Sequence, residues 1–93
     1  MSTDVPMITV FIPPQFRSFS EGTESVEVEA TSVRQAIARL DELFPGIAAR
    51  LCQADELRPG LTVSVNGRVS GLGLFQKVSP DDEIHFLPAI GGG

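Results

Sequence analysis

The 93 residues contain one cysteine, Cys52, and one histidine, His85. A single thiol closes no internal disulfide, and one thiol with one imidazole falls short of the ligands a zinc or iron–sulfur site needs. Seven Lys and Arg stand against twelve Asp and Glu, no two basic residues are adjacent, and the formal net charge is −5. Phosphate backbones call for clustered cations, so nucleic-acid binding is disfavoured and a partner with a basic face is favoured. No apolar run approaches the roughly 18 residues of a membrane span. Met1-Ser2-Thr3-Asp4 offers no positive n-region, so the expected location is the cytoplasm, with no membrane partner.

What is present suits one globular domain over residues 1–93, at 42% hydrophobic and 20% charged residues. Met7–Ile12 is β-branched and aromatic and stops at Pro13-Pro14, which predicts a first strand with Ile8, Val10 and Ile12 on one face and Thr9 and Phe11 on the other. Val26–Ala30 alternates apolar and charged residues and predicts a second strand, hairpinned to the first across a short gap. Thr31 or Ser32 caps a helix whose apolar stripe is Val33, Ala36, Ile37, Leu40, Leu43 and Phe44, and Pro45-Gly46 ends it. Ile47–Leu51 adds a helical turn, and Cys52 reads as a small, partly buried apolar residue. Leu61–Val65, Asn66-Gly67 and Arg68–Ser70 form a hairpin. Gly71–Phe75 is a loop with a helical turn, and Ser79–Asp82 turns into a last strand opened by Glu83. The fold class is α+β: a β-grasp with a mixed four- to five-stranded sheet, first and last strands adjacent at its centre, and one main helix across one face.

That last strand runs through Ile84–Leu87 into Pro88 and then Gly91-Gly92-Gly93. Proline removes a ladder donor and marks the strand's end, so residues 88–93 are expected to leave the body as a tail. Glycine lacks a Cβ, which lets the tail lie in a narrow slot and present the Gly93 carboxylate far from the fold.

The whole chain resembles the ubiquitin-like sulfur carriers of the MoaD and ThiS family, which include the small subunit of molybdopterin synthase and the carriers for thiamine and cysteine synthesis. The resemblance is carried by Ile8-Thr9-Val10-Phe11, Val63-Ser64-Val65-Asn66-Gly67 and Asp82–Ile90 ahead of Gly92-Gly93. Gly91 stands where the family commonly has alanine. Leu43-Phe44-Pro45-Gly46-Ile47 with Arg50-Leu51 looks closer to the cysteine-synthesis branch.

The resemblance implies a carrier, not an enzyme, with no bound cofactor. An ATP-dependent adenylating enzyme would activate Gly93, a sulfur donor would convert the acyl-adenylate to a thiocarboxylate, and an acceptor synthase subunit would take the sulfur for molybdopterin, thiamine or cysteine. Gly91 and Gly92 are the slender approach to it. Two other readings remain open: a protein modifier joined to lysines through Gly93, and a β-grasp interaction domain with an inert tail. Alternation directs Leu87 outward, where it is expected to share a partner-binding patch with Phe11, Val69 and Pro13 on the open sheet face. Arg17, which matches a basic residue of relatives, is expected to bind the tail or a partner. His85 has no Ser, Asp or Cys placed to make it catalytic and is read as a contact residue, and Asp81, Asp82 and Glu83 as a solvated acidic turn.

Overall fold

Alternation decides the first strand. In the computed structural model, which describes residues 6–88, β1 spans Met7–Phe11. Ile8, Val10 and Ile12 are buried, and Thr9 and Phe11 stay half-exposed. β2, Ser25–Glu29, runs antiparallel to it with Val10 opposite Val26. The connection is longer than the short gap expected from sequence. Residues 12–24 include a 3₁₀ turn at Pro14–Phe16, and Ser20 is buried with its Oγ 2.8 Å from the Thr23 carbonyl oxygen.

Helix α1, Val33–Leu43, starts at Ser32, whose hydroxyl accepts from the Gln35 N–H at 3.1 Å. Gln35 reaches back and accepts from the Thr31 N–H at 2.7 Å. Between them the two side chains occupy donors that a helix start leaves unpaired. Ser32→Ala is expected to lower unfolding free energy by about 1 kcal/mol and Ser32→Asp to leave it unchanged, as measured by urea denaturation.

Val33, Ala36, Ile37 and Leu40 are buried against the sheet. Leu43 departs from expectation: it is 53% exposed. It falls at the edge of the arc those four residues define, and Phe44 packs on the core instead. Gly46, at φ +102°, breaks the chain into α2, Ile47–Leu51. Asp41 Oδ1 accepts from the N–H groups of Gly46 and Ala48, capping α2 from the preceding helix.

After α2 a small separate ladder pairs β3, Cys52–Gln53, with β4, Glu56–Leu57. The hairpin of β5, Leu61–Val65, and β6, Arg68–Ser70, turns at Asn66-Gly67, both residues at positive φ. A 3₁₀ turn at Gly73–Phe75 leads to the final strand β7, Glu83–Pro88.

The main sheet is five-stranded in the order β2-β1-β7-β5-β6, so the last strand lies at its centre. β7 is parallel to β1 and antiparallel to β5, placing Ile84 between Val10 and Val65. Ile84 and Phe86 face the helix layer and are buried. The last strand is thereby paired on both sides, as β1 and β5 are.

Candidate functional site

The sheet face opposite the helices carries one residue from every strand in register: Ser25, Phe11, His85, Ser64 and Val69. Neighbours in such a row stand about 5 Å apart, close enough to pack. Phe11 and His85 stack flat, with ring centroids 4.2 Å apart and planes 6° from parallel. Ser64 is only 3% exposed although it lies on this face, because the larger His85 and Val69 flank it as cross-strand partners. Val69 is 65% exposed. One step along the strands Leu87 lies opposite Thr62, both half-exposed. One step the other way, Thr9 lies between Glu27 and Glu83. The face therefore divides into an apolar half, nearer Pro88, and an acidic half.

Phe11, Leu87 and Val69 do share this face, as alternation predicts. Pro13 does not contribute to it as surface: it is buried behind the end of β1, in the connection that Arg17 fastens. Arg17 Nε donates to the Ile12 carbonyl oxygen at 3.2 Å, which anchors this connection. His85 makes no ring hydrogen bond among the described residues; what it touches is the Phe11 ring. Gly91, Gly92 and Gly93 lie outside the described residues, which end with Pro88 in register with Leu61.

Asp82 is more than part of a solvated acidic turn. Its carboxylate accepts from the Ser79 N–H and from Asn66 Nδ2, both at 2.8 Å, and Asn66 Oδ1 accepts from the Glu83 N–H at 2.9 Å. These bonds tie the β5–β6 turn to the start of β7 and fix the register of the central strand. Cys52 sits half-buried, and burial pushes its thiol above the ordinary value, opposed by Arg34 and reinforced by Asp55. A thiol held protonated in this way is a packing group, not a nucleophile.

Sequence reading missed two large apolar groups. Leu72 and Phe75 are 60% and 70% exposed, on either side of the buried Leu74. The glycines at 71 and 73 point to a loop and give no sign of which way its apolar residues face. Among the described residues no helix is long and apolar enough to cross a membrane, and no three His, Cys, Asp or Glu side chains gather as a metal site would require.

The sequence profile of the ThiS family matches residues 10–93. The sulfur carrier protein CysO of Mycobacterium tuberculosis is 32% identical over 94 residues, covering 92% of this chain and 98% of the relative. Among solved structures, the complex of BexX with CysO from Amycolatopsis orientalis contains a chain 35% identical, with a TM-score of 0.82, covering 92% of this chain and 99% of that one. The crystal structure of Mycobacterium tuberculosis CysO superposes with a TM-score of 0.80 at 26% identity, over 89% of this chain and 99% of that one. A small archaeal modifier protein from Haloferax volcanii, 22% identical with a TM-score of 0.73 over 94% of this chain and 99% of that one, shares the fold.

Proposed function

The chain belongs to the ThiS family, and from that membership we propose that it is a sulfur carrier whose reacting group is the Gly93 carboxylate. The observation that carries the reading is the extent of the family match, which starts within β1 and runs through the glycine tail to residue 93. The relatives that align over nearly their whole length are named as sulfur carriers.

A carboxylate is a poor acyl donor because oxide is a poor leaving group. Transfer of AMP from ATP to the Gly93 carboxylate, with pyrophosphate released, supplies a better one. A sulfide-level donor then attacks the acyl carbon, the C–O bond to AMP breaks, and a thiocarboxylate remains. The carrier contributes no acid, base or metal to these steps; a separate adenylating enzyme performs the first, and an acceptor enzyme consumes the sulfur. Gly91 and Gly92 give the terminus a profile without side chains, which suits entry into two different active sites. The apolar half of the open sheet face, with Phe11, Leu87 and Val69, is the surface proposed to dock the adenylating enzyme, and the acidic half suits a basic rim on that partner.

Intact-mass spectrometry after incubation with a ThiS-type adenylating enzyme, ATP and sulfide tests the reading. The expected product is heavier by one oxygen-to-sulfur exchange and reverts on alkylation-free hydrolysis. An unchanged mass overturns the carrier reading, and reductant-resistant adducts to lysines point to conjugation instead.

A further inference from the structure

A concavity of about 470 Å³ lies at the sheet edge where β5 begins. Leu57, Leu61, Leu72 and Phe75 supply its apolar wall, and Asp55 and Glu56 stand at one end. Scattered exposed apolar side chains are ordinary on any surface. Here two of the most exposed ones in the described fold, Leu72 and Phe75, flank one concavity, and the loop presenting them is tied down. Ser70 Oγ accepts from the Leu72 N–H at 3.0 Å and lies 2.6 Å from Gln76 Oε1, while Gln76 Nε2 donates to the Lys77 carbonyl oxygen. Leu74 anchors the same turn in the core. Two such side chains left in water forgo the stabilisation that burial would supply, and holding them in one geometry makes them ready for a contact at little further ordering cost.

We propose that this groove is a second docking surface of the carrier, taken by an apolar side chain flanked by Lys or Arg on a partner protein other than the one seated on the open sheet face. Three observations favour that occupant. No Lys or Arg lines the groove, and although Asp55 pairs with Arg34 at 3.4 Å, Glu56 has no such partner among the described residues. A second copy of this chain would bring a net charge of −5 against −5, which opposes self-association. The 3₁₀ turn bearing Phe75 packs against α1 and β4, on the helix side, so a protein lying flat on His85 and Val69 leaves it uncovered. The groove also adjoins the end of β7, because its wall includes Leu61 and Thr62, the register partners of Pro88 and Leu87. The proposal thus rests on the carrier reading for its purpose, though not for its test.

The test is a titration of the ¹⁵N-labelled full chain with acetyl-Arg-Lys-Leu-Lys-Arg-amide, followed by amide chemical shifts. The expected result is saturable shifts at Glu56, Leu57, Leu61, Leu72 and Phe75, with a Kd on the order of 1 mM that weakens with salt. Acetyl-Glu-Asp-Leu-Asp-Glu-amide is expected to leave those amides in place. The double variant Leu72→Gln, Phe75→Gln is expected to weaken the basic peptide at least 10-fold while its other amides keep their positions. Equal shifts at His85 and Val69, equal binding of the acidic peptide, or full binding by the double variant would overturn the proposal. So would groove shifts that depend on protein concentration without peptide, which identify a second copy as the occupant. The titration involves no sulfur chemistry, so failure to form a thiocarboxylate and failure of this groove are separate results.

Discussion

Deleting Gly93 alone is expected to abolish sulfur loading, although the shortened chain still ends in a glycine carboxylate. The adenylating enzyme must hold that carboxylate in line with the α-phosphate of ATP, while the carrier's body is fixed by its own docking contacts. Removing one residue draws the acyl group back by about 3.3 Å. Displacements near 1 Å already lower rates about 100-fold where reacting groups must align, so loading is expected to fall by more than about 1,000-fold. Thermal stability is expected to stay unchanged, since the described fold closes with Pro88 opposite Leu61 and the core lies in β1, β5, β7 and α1. A full-length chain with a C-terminal carboxamide separates reach from chemistry: it has the same length, lacks the nucleophilic oxygen, and is expected to be equally inert. Rapid loading of the carboxamide, read by intact mass, would show that the reacting group lies elsewhere, and rapid loading of the shortened chain would show that reach does not limit the reaction.

The elements that were legible in the sequence are those with a local chemical signal. Asn66 and Gly67 both adopt positive φ, the conformation that makes the Asn-Gly pair a hairpin signal. Ser32 caps α1 and Gly46 breaks it, each by a side-chain property visible in the residue itself. Alternation along Ile84–Leu87 separates the core from the open face because a strand's period leaves no other choice. The β3–β4 hairpin carries no such mark. Its turn residues Ala54 and Asp55 both take positive φ, a conformation that alanine adopts only where the surrounding structure imposes it. Asp41 looks like one more acid on a polar helix face, and only the bend at Gly46 brings the N–H groups of Gly46 and Ala48 onto it. Leu72 and Phe75 escaped for a related reason: glycine-bounded loops have no period, so nothing in the sequence distinguishes the inward Leu74 from its outward neighbours. In the candidate site, the face of Phe11, Leu87 and Val69 follows from alternation, whereas the Phe11–His85 stack depends on the parallel register of β1 and β7, and register between strands so distant in sequence is not written locally.

Leu87→Glu is expected to block activation at the docking step while leaving the carrier folded. The side chain is half-exposed, lies opposite Thr62 rather than in the core, and occupies the last outward position before Pro88. Glutamate at such a position exchanges one partly solvated group for another, with an expected stability change within about 1 kcal/mol. In a complex the same carboxylate would be desolvated against an apolar surface with no counter-charge, and losses at the centre of an interface reach about 2–4 kcal/mol. The Kd for the adenylating enzyme is accordingly expected to rise about 30- to 1,000-fold, with the chemical step recovering at high carrier concentration. Val69→Glu, across the same face and more exposed, is expected to act in the same direction with a smaller effect. Leu72→Gln with Phe75→Gln, beyond the edge of that face, is expected to leave activation within about twofold, since neutral amides at exposed sites add no buried charge. Wild-type activation kinetics for Leu87→Glu would remove the open sheet face as the site where the adenylating enzyme docks.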